Sequence, residues 1–274
     1  MFAWRAFRDG DAPGAGDGST RPPAPGAFLC VPALAPYGIA AAFTTRHGGV
    51  SEAPFASLNL SLRAKDDPPA VRANRMRVLD AIGAPPDAWT CAEQVHGAGV
   101  ANVGRADRGA GAADAGDAIA GADALWTLEP GIALAVLTAD CVPILLADPD
   151  RGLIGVVHAG WRGLAAGVVG RAVEEMAPSS PSAFIGPSIG PCCYEVGEDV
   201  AAEVASAVGD GVVRRAPGAA KPSLDLWEAA ATALRAAGVG AIAAARICTR
   251  SEHHRFYSHR AGDDARQGLV VVRR

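Results

Sequence analysis

The sequence predicts an α/β fold in which short buried strands alternate with amphipathic helices, and three observations carry that expectation. Residues 131–163, GIALAVLTADCVPILLADPDRGLIGVVHAGWRG, contain three apolar runs at 132–137, 142–146 and 153–157. Each is too short for a globular helix and rich in β-branched residues, so each reads as a buried strand. Residues 67–83, 164–176, 198–208 and 224–237 carry helical spacing instead. Half of the 274 residues are hydrophobic, which is enough to fill a core, and no apolar run approaches membrane-spanning length.

Taken in order, residues 8–26 (RDGDAPGAGDGSTRPPAPG) are low in complexity, so 1–27 is expected to be a disordered N-terminus and 28–274 a single catalytic domain. Residues 28–31 and 39–43 read as strands. TTRHGGVS at 44–51 follows, with Gly48-Gly49 as a tight turn and Arg46 and His47 on its approach. Asp67 is placed to cap a helix that opens on proline and ends at Gly83, with Val71, Met76, Val78, Leu79 and Ile82 on its apolar side. WTCAEQV at 89–95 is a strand, 100–103 resembles its hairpin partner, and 104–121 is a glycine-rich loop. ADALWT at 122–127 is a further strand with Asp123 beside it. After the central stretch come one continuous helix at 164–176, a strand at 183–185 and a turn-rich GPSIGPCC at 186–193. Helices at 198–208 and 224–237 follow, the latter capped by Gly238, then strands at 241–247 and 269–272.

Composition excludes several function classes. The net charge is −4 and the basic residues are scattered, which argues against a nucleic-acid surface. The N-terminus has no apolar signal segment, and six cysteines are few for this length. A cytoplasmic protein with reduced thiols is expected, without a membrane partner. No HExxH, P-loop, CxxC or GxGxxG pattern occurs.

The chemistry-bearing feature is a set of ligands at strand ends: His96, Cys141 and His158. Two imidazoles and a thiolate leave a fourth position open, the ligand pattern of a catalytic zinc site. The same residues also suit a nucleophilic Cys141 with His158 or His96 as base, or a buried cysteine beside two hydrogen-bonded histidines. Asp140, next to Cys141, is a candidate to orient a histidine. A copper oxidase would need several closely spaced histidines and an axial thioether, and the chain has three methionines. The glycine-rich turn at 159–163 leads into a helix and offers N–H groups to an anion. Cys30, Cys91 and Cys248 read as core, and the adjacent Cys192-Cys193 as packing a turn.

Ten segments together resemble one family, the YfiH-type laccase-domain proteins: TTRHGGVS (44–51), LNLS (58–61), EQVHG (93–97), ADALWT (122–127), TADCVPILLAD (138–148), GVVHAGWRG (155–163), IGPSIGPCCYEV (185–196), LDLW (224–227), ICT (247–249) and FYSHR (256–260). The resemblance implies a layered α/β/β/α arrangement with two packed mixed sheets. It implies zinc, with copper in older descriptions, bound by His96, Cys141 and His158. It implies cleavage of adenosine, inosine, guanosine and methylthioadenosine by phosphate, with a secondary adenosine deaminase activity, by a monomer or small homo-oligomer. Arg46, Asn59, Gln94, Asp140 and Arg162 are the expected substrate-binding residues, with Arg46 also expected in catalysis. The fold kinship extends to toxins that use a Cys–His pair, so a metal-free hydrolase or amidase using Cys141 and His158 is the alternative. A non-catalytic nucleoside-binding module is the third reading. His259 stands where the family usually carries tyrosine.

Overall fold

The structure is a computed structural model that describes residues 1–7 and 27–274. Two six-stranded mixed sheets form its centre. The first has strands β1 (Ala3–Ala6), β2 (Ala27–Cys30), β3 (Ile39–Phe43), β4 (Trp89–Cys91), β7 (Ala133–Thr138) and β14 (Gln267–Arg273), in the order β1-β2-β3-β14-β7-β4. The second has β5 (Val100–Asn102), β6 (Ala124–Thr127), β8 (Val142–Asp148), β9 (Leu153–Ala159), β10 (Ser182–Ile185) and β13 (Ala241–Ala244), in the order β13-β10-β8-β9-β6-β5. A two-stranded ribbon, β11 (Val213–Arg214) with β12 (Ser223–Leu224), lies apart from both.

Side-chain alternation along the strands builds the layers. Leu269 and Val271 of β14 face an apolar interior between the sheets, where they meet Leu145, Ile154 and Val156 of the second sheet. Val270 and Val272 point the other way, onto helix α1 (Pro68–Ile82) through Val78, Leu79 and Ile82. On the second sheet, Val142, Ile144, Leu146 and Val157 face outward. They are covered by α2 (Trp161–Ala165), α3 (Val168–Met176), α4 (Glu198–Val208) and α5 (Leu226–Ala236). Each fully buried Val, Leu or Ile side chain stabilises the fold by about 1.5–3 kcal/mol before entropy is counted. This is the layered α/β/β/α arrangement that the family resemblance implies. No helix among the described residues is long and apolar enough to cross a membrane.

The three central strands form where expected, and β8 and β9 are buried at every position. Helix α1 begins and ends as its caps dictate. Asp67 accepts a hydrogen bond from Ala70 N, a cap contributing about 1 kcal/mol, and Gly83 closes the helix in the left-handed region.

Several elements differ from the expectation. Residues 3–6, expected within a disordered N-terminus, form β1, where Phe2 packs edge-on to Phe43 and Trp4 lies under Arg255. The disorder expected for 8–26 lies outside the described residues. Met76, expected on the apolar side of α1, is exposed. The strand at 89 stops at Cys91, and β5 is not its hairpin partner. The chain crosses at 92–99 to the second sheet, where β5 pairs parallel with β6. The helix expected over 164–176 is broken: Gly167 has φ +80° and separates α2 from α3. Helix α5 ends at Ala237 as its C-cap, one residue before Gly238.

Candidate active site and metal centre

Three segments converge on the site. Strands β8 and β9 pair antiparallel with Val142 opposite Ala159 and Pro143 opposite His158. Continuing that register places Cys141, just before β8, across from Gly160, just after β9. Sheet hydrogen bonding therefore holds the thiol beside the imidazole of His158. His96 comes from the crossing between the two sheets. The ligand atoms of His96, Cys141 and His158 all lie within 4.8 Å of one another. The Cys141 Sγ to His96 Nε2 distance is 3.9 Å, and the two imidazole rings meet edge to face with centroids 4.8 Å apart. Gly160 keeps this space open, because a Cβ at that position would crowd Cys141 Sγ at 3.0 Å and His96 Cδ2 at 3.2 Å.

One carboxylate organises both histidines. Asp123, fully buried at the start of β6, accepts His158 Nδ1–H at 2.8 Å and His96 N–H at 3.0 Å on Oδ1, and Gly97 N–H at 2.7 Å on Oδ2. A carboxylate only accepts here, so His158 carries its proton on Nδ1 and turns Nε2 toward Cys141. Residues 94, 96 and 140 have φ of +61°, +60° and +87°. Such left-handed non-glycine backbone costs about 1–3 kcal/mol per residue and persists only where the surroundings over-determine it.

The electrostatics follow from this packing. Burial alone would raise the Cys141 thiol, but the His158 charge and hydrogen bonds from His158 and His96 outweigh it and bring it down to about 6. Burial alone would lower His158, but Cys141 and the Asp123 hydrogen bond outweigh it and raise it to about 9. Burial would likewise raise Asp123, and its bonds from His158, Gly97 and His96 hold it below the usual carboxylate range. Without a cation, Cys141 and His158 therefore form a thiolate–imidazolium pair.

The donor set fits a metal ion. Two imidazole nitrogens and one sulfur converge, Asp123 buttresses the buried histidine from behind, and a glycine leaves room at the point of convergence. The trio opens onto a cavity of about 570 Å³, also lined by Gln94, Arg63, Lys65, Arg266 and His259. Thr138 lines it too, and its buried hydroxyl has no hydrogen-bond partner.

The remaining expected residues are placed as follows. Gln94 lines the cavity, but its amide is engaged with the backbone of Leu137 through both oxygen and nitrogen. Asn59 is fully buried and holds the backbone of Ser61 and Arg266 and the Asp66 carboxylate. Arg46 donates to the His253 carbonyl, pairs with Asp263 at 3.7 Å and stacks 4.7 Å from the Tyr257 ring centroid. Arg162 is exposed and stacks on Trp161. Asp140, expected to orient a histidine, does not. It accepts from Thr249 Oγ1 at 2.7 Å, Ser258 Oγ at 3.1 Å and Arg260 N at 2.7 Å, and so anchors the C-terminal loop. The orienting residue is Asp123, which sequence reasoning placed beside a strand without a role. Its signal was a carboxylate at the edge of an otherwise apolar ADALW run. Gly186–Gly190 has the spacing of a hydrolase nucleophile elbow, Gly-x-Ser-x-Gly, a pattern that sequence reasoning wrongly counted as absent. Ser188 is fully buried there and no helix directly follows it, so it is not presented as a nucleophile.

Residues 40–272 match the protein family described as multi-copper polyphenol oxidoreductase laccase. Among curated relatives, the purine nucleoside phosphorylase YlmD of Geobacillus stearothermophilus is 43% identical over 233 residues, covering 81% of this chain and 85% of the relative. A purine nucleoside phosphorylase of Deinococcus radiodurans is 41% identical over 238 residues, covering 84% and 87%. The crystal structure of the Geobacillus YlmD superposes with a TM-score of 0.83 at 40% identity, over 90% of this chain and 96% of that one. The crystal structure of Bacillus licheniformis YfiH, a hypothetical protein, gives 0.85 at 32% identity, again over 90% and 96%. With the family match running from the third strand to the last and two-fifths identity across most of its length, the chain belongs to the laccase-domain family of YlmD- and YfiH-type proteins.

Proposed function

We propose that this protein is a metal-dependent purine nucleoside phosphorylase, with zinc at His96, Cys141 and His158. The observation that carries the reading is the convergence of these three ligands on one face of a cavity sized for a nucleoside. When bound, such an ion supplies Lewis-acid polarisation or an activated water. Two imidazoles and one thiolate with an open position suit catalytic zinc. A blue-copper centre would add an axial thioether, and Met76 and Met176 belong to helices rather than to the cavity.

The chain's own residues supply binding and orientation. Asp123 holds His158 with Nε2 forward and fixes the backbone that presents His96. Phosphate must arrive as an anion beside the sugar, and Lys65 and Arg266, with Arg63 where it is not held by Glu93, are the cations proposed to meet it in a cavity that Glu93 and Asp264 also line. Arg46, engaged with Asp263 and Tyr257, is proposed to hold the loop that carries His253 rather than to meet phosphate itself. The unpartnered Thr138 hydroxyl is proposed to bond a polar group of the nucleoside. The substrates proposed are adenosine, inosine, guanosine and methylthioadenosine, with adenosine deamination as a secondary activity and residues 28–274 acting as one catalytic domain.

The test is inosine with inorganic phosphate. Hypoxanthine and ribose 1-phosphate should form, with formation abolished by a chelator and restored by zinc. Absence of both products from metal-loaded protein would refute the proposal. A second reading is favoured by the packing of Cys141 against His158, whose ring is held from behind by Asp123, which is the arrangement of a cysteine hydrolase. Amidase or esterase activity in metal-free protein, lost on alkylation of Cys141, would select it.

A further inference from the structure

Besides the His96 cluster, the described residues bring together another group of three metal-ligating side chains. The sulfurs of Cys192, Cys193 and Cys248 all lie within 4.8 Å of one another, and none is in a disulfide. Two separate loops supply them. Cys192 and Cys193 lie in the turn-rich segment after β10, and Cys248 follows β13. A bridge between Ser188 and Cys248 fixes the two loops against each other. We propose that these three thiols form a second metal site, taking one soft d10 cation, Cu(I) or Zn(II), that clamps the two loops together.

Four features support a built site over incidental packing of thiols. The group contains sulfur alone, with no carboxylate, and thiolate ligands select Cu(I) and Zn(II) over harder cations. A metal–sulfur bond of about 2.3 Å puts ligand sulfurs about 3.8–4.0 Å apart, so shifts of under about 1 Å complete the coordination. Backbone N–H groups of Gly190 and Ser251 point at Cys248 Sγ from 3.3 and 3.4 Å, and donors so aimed stabilise a thiolate. Burial is graded from Cys248, in the core, through Cys193 to the exposed Cys192, which gives an ion an anchor and an entry path.

Ser251 Oγ lies 3.5 Å from Cys192 Sγ and 3.3 Å from Cys193 Sγ. It is positioned to donate to a thiolate, or to be a fourth ligand for Zn(II), whereas Cu(I) needs the three sulfurs alone. The site is structural. Thr249, next to Cys248, donates to Asp140, and Tyr194, next to Cys193, lies under Arg260 at 5.0 Å. An ion here would fix loops that border the catalytic cluster without touching the substrate.

The test is metal stoichiometry on the reduced, metal-free full chain, titrated with Zn(II) against a chromophoric chelator and, without oxygen, with Cu(I) against a Cu(I) chelator. Wild-type protein should take two ions per chain in at least one of these titrations. Cys192→Ser/Cys193→Ser should take one and keep its phosphorolysis rate. Cys141→Ser should also take one but lose activity. Cd(II) added to Cys141→Ser should still give the thiolate charge-transfer absorption of a three-sulfur site, an independent readout if the double variant fails to fold. A single ion in wild type with both metals, two ions retained in the double variant, or no Cd(II)–thiolate band in Cys141→Ser would overturn the proposal. Which titration reaches two ions identifies the cation.

Discussion

Asp123 and Asp140 are both buried carboxylates, each receives three hydrogen bonds, and they organise different parts of the molecule. Asp123 takes a ring N–H from His158 and the backbone of His96 and Gly97, so its charge is spent on ligands that front the cavity. Asp140 takes two hydroxyls and a backbone N–H from Thr249, Ser258 and Arg260, so its charge is spent on closing the C-terminal loops. Asp140 is the one adjacent to Cys141 in sequence. Adjacency along a strand end does not make it face the same way: its φ of +87° turns the chain between Ala139 and Cys141. Function follows from which donors reach a carboxylate, and those are set by the sheet that carries it.

Substitutions sharpen this contrast in decreasing order of effect. Cys141→Ser and His158→Ala remove ligands outright. Phosphorolysis should fall by more than the roughly 100-fold that loss of an outer partner causes, with bound metal lost from this site and circular dichroism unchanged. Asp123→Asn keeps the shape but changes which proton His158 can hold, and should cost about 10–100-fold in metal affinity or kcat/KM. Asp140→Asn should act on stability instead. A weakened buried hydrogen-bond network costs about 1–3 kcal/mol, read as a drop of a few degrees in Tm, with metal affinity close to wild type. Equal metal loss in the two aspartate variants would erase the distinction between them.

A pH experiment separates the ligand state from the free state. In metal-free protein the Cys141 thiol lies near 6, held down by His158 despite burial. Its alkylation rate should therefore climb as pH rises through about 6 and then level off, since the deprotonated thiolate is the nucleophile. Proton loss from His158 near 9 leaves the thiolate in place. Metal-loaded protein should be protected across the whole range. The smallest effect is expected at His259, which lines the cavity. His259→Tyr should shift KM among purine nucleosides by a few-fold with little change in Tm.

Much of this arrangement was legible in the sequence. The three central strands declare themselves by short β-branched runs, and α1 by an Asp-Pro start and a glycine stop. These are local signals, and the structure keeps them. The trio was legible as a chemistry-bearing set because Cys141 and His158 stand at the ends of apolar strands, but the residues alone left a metal site, a Cys–His pair and plain packing open, and the metal reading came from the resemblance; His96 lies in the crossing beyond β4 rather than at a strand end. Pairing partners were not legible. The crossing between β4 and β5 depends on which sheet receives Val100, and nothing within 100–103 states that. The part played by Asp123 was hidden for the same reason, since it requires β6 to lie beside β9. The loop anchors at Asn59 and Arg46 act on residues some 200 positions away, beyond any local pattern.

One ion held by His96, Cys141 and His158 is proposed to be needed for glycosidic-bond cleavage. The direct measurement is hypoxanthine release from inosine and phosphate by chelator-stripped protein, before and after zinc is restored. The prediction is no release above background when stripped, and recovery on adding zinc in wild type but not in Cys141→Ser. Undiminished release by protein confirmed to be metal-free would contradict it.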